Sequence, residues 1–266
     1  MIVGICQLSS CPYKNDNVRK LSITLDRHLQ SADLVIVPEY FMFFDKKMFN
    51  NSQLVYDISE DINGDFVKSM SRLCIDFNIN ILFTMFLRSG SKVYNSAILM
   101  SRDGTILTIY RKIHLFDAYG FSESHIFSRG FSPCRVVELC GFKIGIAICF
   151  DIRFPELFRH YALSGADIVL IPAAWFRGDY KEEILRFLAQ ARAHENCMYI
   201  IVCDQYSDIF VGRSMIVDPN GIVVLDLGYG ESYREYRLDK SLVELARERV
   251  PVLRLRNPLA YTRILM

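Results

Sequence analysis

FKIGIAICFDIRFPEL, residues 142–157, carries the change of structure that organises this chain. The apolar run FKIGIAICF (142–150) reads as a buried strand, and Pro155 suits the first turn of a helix. That helix continues through PELFRHYALSG (155–165), where Gly165 is a natural stop. Cys149 falls at the elbow between them. A thiol at such a turn can face solvent and receive free backbone N–H groups.

Working outward, short β-branched runs alternate with longer amphipathic stretches. On the C-terminal side DIVLIPAAW (167–175) is a further buried strand, followed by a helix over 181–196 with Ile184, Phe187, Leu188 and Ala191 expected to face inward. MYIIVCD (198–204), VGRSMIVD (211–218), a turn at DPNG (218–221) and IVVLDL (222–227) supply more strands, and a helix is expected near 239–249. On the N-terminal side lie a strand at IVGICQL (2–8) and a helix from Lys14 with Val18, Leu21, Leu25 and Leu29 on one face. DLVIVPEY (33–40), NILFTMFL (80–87), VYNSAILMS (93–101), ILTIY (106–110) and RVVELC (135–140) read as strands, and residues 65–77 as a helix. Paired strand runs interleaved with helices predict an α/β fold of two sheets packed face to face with helices outside. The pattern is also compatible with one doubly wound sheet. No linker or repeat divides the chain, so residues 1–266 are expected to form one domain.

Composition excludes several classes. Hydrophobic residues make up 51% and charged residues 23%, far from a disordered chain. Thirty-one basic residues against thirty acidic ones leave a net charge of +1, without basic blocks that would suit nucleic acid. The apolar runs are too short to span a bilayer, and MIVGICQLSSCPYKND does not read as a signal peptide, so a soluble cytoplasmic protein is expected. Eight cysteines at 6, 11, 74, 134, 140, 149, 197 and 203 are scattered, with no C-x-x-C pair. Most sit in apolar segments and read as small core hydrophobes. The five histidines have no ligand spacing with them, so no metal is expected.

Two other strands also deliver a reactive residue where they end. Pro38 stops DLVIVPEY just before Glu39, whose carboxyl against an apolar wall is placed to trade protons near neutrality. ILTIYRKIHLF (106–116) delivers Lys112. Taken singly, each has an ordinary reading: a solvated cap, a surface charge, a core thiol.

Together the three segments resemble the nitrilase superfamily of carbon–nitrogen hydrolases, nearest its omega-amidase and deaminated-glutathione-amidase branch. The resemblance rests on VPEY, YRKIHLF and ICFDIRFPE. It continues through GADIVLIPAAW, AQARAHENCMYIIVCDQ, GRSMIVDPNG (212–221) and VPVLRLRNPLAY (250–261), and so covers essentially the whole chain. It implies an α-β-β-α sandwich, commonly a homodimer, that hydrolyses a non-peptide C–N bond of a small molecule without metal or organic cofactor. It also implies Cys149 as nucleophile, Glu39 as proton shuttle and Lys112 as oxyanion stabiliser. FSESHIFSRG (121–130) looks like the segment that supplies a bracing glutamate, here Glu123. The Phe150 backbone N–H is the second oxyanion donor. Phe150 stands where tyrosine is commoner, and FRGDYKEEI (176–184) departs from the usual loop over the pocket.

Arg153 matches an arginine that binds a substrate carboxylate in that branch, and Trp175 matches a pocket-lining aromatic. Their ordinary readings are an ion pair of Arg153 with Asp151 or Glu156, and core packing of Trp175. His114 reads as structural, and Asp151, Glu156 and Arg192 as a possible ion-pair network. The expectation is an amidase for a small linear amide bearing a carboxylate. Alternatives are an N-carbamoyl amino acid or ureido-acid hydrolase, a nitrilase, and a catalytically silent binding or regulatory subunit. Retention of all four polar residues argues against the silent protein.

Overall fold

The computed structural model describes residues 1–260; Tyr261, the last residue of the VPVLRLRNPLAY segment, lies outside the described part. In chain order the elements are β1 (Ile2–Gln7), α1 (Lys14–His28), β2 (Leu34–Ile36), α2 (Ser52–Ile58), α3 (Asp65–Asp76), β3 (Asn80–Ser89), β4 (Lys92–Met100) and β5 (Ile106–Arg111). There follow β6 (Val137–Leu139), β7 (Phe142–Ile146), α4 (Pro155–Leu163), β8 (Ile168–Ala173), α5 (Lys181–His194) and β9 (Tyr199–Asp204). The chain continues through β10 (Met215–Val217), β11 (Val223–Asp226), β12 (Ser232–Arg237), α6 (Lys240–Arg249) and α7 (Val252–Leu255).

The strands form two sheets, each six-stranded, in the orders β12-β1-β2-β3-β4-β5 and β11-β10-β9-β8-β7-β6. Two sheets, not one doubly wound sheet, are therefore the arrangement adopted. Each has a parallel centre, β1-β2-β3 or β7-β8-β9, with antiparallel strands on its flanks. Parallel centres need both faces covered, and the side-chain alternation provides this. Val35, Val37, Ile81 and Phe83 point to a layer with Leu21 and Leu25 of α1 and Met70 and Leu73 of α3. Their neighbours Leu34, Ile36 and Leu82 join Val3 and Ile5 in the core shared with the second sheet. Each such side chain, wholly removed from water, contributes about 1.5–3 kcal/mol.

Three local expectations are corrected. The strand FKIGIAICF ends at Ile146, and Cys149–Arg153 form a 3₁₀ turn. Along α5 the buried residues are Leu185, Ala189, Arg192 and Ala193, while Phe187 is 68% exposed. Alanines let the helix approach its sheet closely, and that contact sets the helix phase. Finally SYREYR (232–237), unassigned from the sequence, is β12, an edge strand paired with β1. Among the described residues no helix is long and apolar enough to cross a membrane.

Candidate active site

The N-terminal sheet supplies Glu39 and Lys112 of the four proposed catalytic side chains, and a 3₁₀ turn in the loop beyond β5 supplies Glu123. Pro38 lacks the N–H that would continue the ladder beyond β2, and the chain turns there, with Tyr40 in the left-handed region at φ 57°. The Thr84 hydroxyl donates to the Pro38 carbonyl (2.8 Å) and accepts from the Phe41 N–H (3.0 Å), so it pins both arms of the bend. Glu39 is consequently held between the sheets. Its N–H donates to Ala173 O (3.2 Å), and its carbonyl accepts from Gln205 Nε2 (2.7 Å).

The Glu39 carboxylate accepts at Oε1 from Lys112 Nζ (2.7 Å) and Asn95 Nδ2 (2.8 Å), and at Oε2 from the Ala174 N–H (3.0 Å). Lys112, just past β5, is fixed by its N–H to Asn95 O (2.9 Å) and by the Gly130 N–H to its own carbonyl (2.8 Å). Gly130 has to be glycine, because a Cβ there would stand 2.2 Å from Arg111 O. Lys112 Nζ also contacts Glu123 Oε2 at 2.8 Å. Glu123 accepts further from the Phe116 N–H (2.7 Å), the Tyr40 hydroxyl (3.0 Å) and Asn95 Nδ2 (2.9 Å). Asn95 thus bridges both glutamates with one amide nitrogen.

Glu39, Lys112 and Glu123 are each 1% exposed. An ion taken this far from water costs several kcal/mol unless fully paired, and here every charge has several partners. Burial pulls the Lys112 ammonium down, but Glu123 and Glu39 outweigh it, so Lys112 is held above its ordinary value and stays charged. Burial pushes the Glu39 carboxyl above the usual carboxylate range; Lys112 opposes this and the charge of Glu123 adds to it. A carboxyl so raised is matched to giving and taking protons.

The second sheet supplies the thiol. Cys149 opens the turn after β7 at φ 43°, a conformation that costs an L-residue roughly 1–2 kcal/mol. Asp151 holds the turn: it accepts from the Ile148 N–H (2.9 Å), the Tyr110 hydroxyl (2.7 Å) and the His114 N–H (3.0 Å), and His114 Nδ1 lies 2.7 Å away. His114 also stacks on Phe154 with centroids 3.6 Å apart. The YRKIHLF segment is therefore bonded to the cysteine turn, so Lys112 and Cys149 are positioned together. Asp151 is a clamp of this kind, not a member of an ion-pair network. Glu156 is exposed, and Arg192 binds Ile152 O (2.9 Å) and Glu195 (2.7 Å) instead.

The thiol itself is 8% exposed. Burial, and then the charge of Glu39, push it well above the ordinary thiol value, with Lys112 opposing. It rests protonated and needs a base to become a nucleophile. Next to it the Phe150 N–H belongs to the first turn of a short helix, where backbone donors lack intrahelical partners.

Glu39, Lys112 and Cys149 line one pocket with Tyr40, Phe116, Phe150, Arg153, Trp175 and Lys181; it holds about 350 Å³ including its open mouth. Arg153 pairs with neither Asp151 nor Glu156. Its guanidinium lies 5.0 Å from the Trp175 ring centroid and 5.8 Å from that of Phe150, and its Nε is buried without a hydrogen-bond partner. Trp175, 5% exposed, is both packed and pocket-lining, with Nε1 donating to Lys181 O (2.9 Å).

Sequence reasoning did not single out Asn95, Tyr40, Gln205 or Asp204. Asp204 ends β9, accepts the Trp175 N–H at 2.7 Å, and has an unpartnered Oδ2; burial holds its carboxyl well above the carboxylate range. A polar amide inside an otherwise largely apolar strand, Asn95 in VYNSAILM, is the signal that could have found the first. Among the described residues no group of three or more His, Cys, Asp or Glu is placed to hold a metal ion.

Facing strand ends that present a buried thiol, a carboxyl and an ammonium to one apolar pocket are equipment for acyl transfer at carbon bonded to nitrogen. Residues 2–248 match the carbon-nitrogen hydrolase family, and the chain belongs to that family of enzymes acting on non-peptide C–N bonds. It is similar to the deaminated glutathione amidase of Rattus norvegicus, 30% identical and covering 99% of this chain and 84% of the relative. It is also 30% identical to the omega-amidase NIT3 of Saccharomyces cerevisiae, covering 96% of this chain and 92% of that one. The crystal structure of Saccharomyces cerevisiae Nit3, a member of branch 10 of the nitrilase superfamily, superposes with a TM-score of 0.80 at 28% identity, covering 95% and 94% of the two chains.

Proposed function

We propose that the protein is an amidase that cleaves a small linear, carboxylate-bearing amide to the acid and ammonia through a thioester on Cys149. The observation that carries this reading is Arg153, a guanidinium with no carboxylate partner, in the same pocket as the thiol. Glu39 takes the Cys149 proton as sulfur attacks the amide carbon. Lys112 and the Phe150 N–H stabilise the oxyanion, and Glu123 keeps Lys112 oriented and charged. Glu39 passes its proton to the departing nitrogen, releasing ammonia and leaving the acyl group on sulfur. It then takes a proton from water, whose oxygen attacks the thioester; the product acid leaves, and Glu39 returns the proton to sulfur, restoring the thiol. The names of the two curated relatives support an amide as substrate.

The same reading has residues 1–266 as one catalytic domain working in the cytoplasm as a homodimer. Its eight cysteines are free, as suits a reducing compartment. The deciding experiment measures product release from the half-amide of glutaric acid, butyramide, an N-carbamoyl amino acid and a short nitrile. Fastest turnover of the half-amide is expected. Arg153→Met should lower the half-amide to butyramide ratio of kcat/KM about ten- to a hundredfold, the worth of one buried charged hydrogen bond. Preferred cleavage of the N-carbamoyl compound or the nitrile would replace the amide reading. An unchanged ratio would remove Arg153 as the carboxylate reader.

A further inference from the structure

We infer that Lys181 is a second anion-reading residue of this pocket, selecting amides that carry another anionic group beyond the carboxylate held by Arg153. The inference rests on the amidase reading and extends it to the part of the substrate farthest from the thiol. Lys181 lies in the segment 176–184, where the chain departs from the family's usual loop. Its backbone is fixed to the pocket wall, because the Trp175 indole donates to its carbonyl at 2.9 Å. Its ammonium rests 3.4 Å from the Tyr119 ring centroid instead of on a carboxylate. A cation over an exposed ring keeps its charge and remains free to meet an anion.

Position separates the two cations. Arg153 borders only the inner pocket, whereas Lys181 borders both that pocket and the groove outside it. Phe116 and Phe176, stacked with centroids 5.8 Å apart, line the passage between them. A ligand reaching from Cys149 to the groove therefore passes Arg153 in the inner pocket and meets Phe116, Phe176 and Lys181 where the two spaces join. Charge agrees. Lys112 is consumed by Glu39 and Glu123, so Arg153 and Lys181 are the two cations of the inner pocket left for a ligand. The outer groove also holds Asp179 and Asp208, with Arg177. The charges of the outer groove offset one another, and of its two cations only Lys181 also borders the inner pocket.

The test uses the full-length enzyme and four amides: butyramide, the half-amide of glutaric acid, the N-carboxymethyl derivative of that half-amide, and a monoamide of propane-1,2,3-tricarboxylic acid. The last two carry two anionic groups, placed on the amine and acyl sides respectively. Lys181→Met should lower kcat/KM for at least one of these dianions about tenfold relative to the half-amide, chiefly through KM, and Lys181→Arg should restore most of it. The affected compound locates the second anion. A second arm titrates propane-1,2,3-tricarboxylate into Cys149→Ala and Cys149→Ala/Lys181→Met by calorimetry, where about tenfold weaker binding is expected for the latter. Absent turnover of every amide would sink the amidase reading, yet the calorimetric difference would still decide the role of Lys181. Equal losses on all four amides, or no difference in either arm, would overturn the inference.

Discussion

At the floor of the pocket Glu39, Lys112 and Glu123 are each 1% exposed and bound to one another, to Asn95 and to backbone N–H groups. Farther from the strand ends, Arg153 on the cysteine turn and Lys181, which follows the left-handed Tyr180, lie over aromatic rings. The floor is a closed network in which nearly every donor and acceptor is used; Arg153 and Lys181 form no ion pair among the described residues. Preorganised, fully paired groups stabilise charge that develops during reaction, and cations without protein partners are what a charged ligand recognises. The difference assigns chemistry to the paired, buried groups and selectivity to the cations that lie over rings.

If that division is right, the floor should fail as one unit. Cys149→Ala, Glu39→Gln and Lys112→Met are each expected to lower kcat by more than about 10³-fold, since residues of one catalytic unit are not additive. Circular dichroism and the melting transition of Cys149→Ala should remain those of the parent, as only a sulfur atom is removed. Near-normal ammonia release by any of the three would break the comparison at its stronger end.

Asp151 sharpens it, because this side chain positions the floor without entering the pocket. Asp151→Ala leaves the Ile148 and His114 N–H groups and the Tyr110 hydroxyl without their acceptor. Each unsatisfied buried group costs about 1–3 kcal/mol, so stability in urea should fall by roughly 3 kcal/mol and activity with it. A variant as stable as the parent would show that the cysteine turn holds itself.

Asn95→Leu gives the smallest effect and the one with a sign. Its amide donates to the Glu39 carboxylate and thereby lowers a carboxyl that burial raises. Losing that donor favours the protonated acid. Glu39 must be ionised to accept the thiol proton, so activity appears as pH rises through its pKa, and the acid limb of kcat/KM should move to higher pH. An unmoved limb would mean that it does not report Glu39.

The strand-end residues of the floor were legible in the sequence because an apolar strand running into Glu39, Lys112 or Cys149 marks the end as well as the residue. Asn95, Gln205 and Asp151 were less so, because their roles exist only across strands and between sheets: Gln205 reaches Glu39 over 166 positions of chain. The two sheets were expected, from paired strand runs and from the resemblance, although the pattern alone also allowed one sheet, since alternation reveals which faces are buried but not which strands pair. β12 escaped notice because SYREYR, an edge strand, keeps only Tyr233 buried and exposes its arginines. On α5 Ile184 and Leu188 pack on the core as expected, but Phe187, which looked like a core residue, is exposed, while Leu185, Ala189 and Ala193 are buried.

The central claim is that Cys149 carries the acyl group during turnover, and acid quenching during steady-state hydrolysis of the glutaric half-amide tests it most directly. Intact-mass and peptide mapping of the quenched enzyme should find a glutaryl thioester on the peptide containing Cys149, absent from Cys149→Ala and cleared by hydroxylamine. Continued ammonia release with no such adduct under any quench, or the acyl group on another residue, would contradict the account.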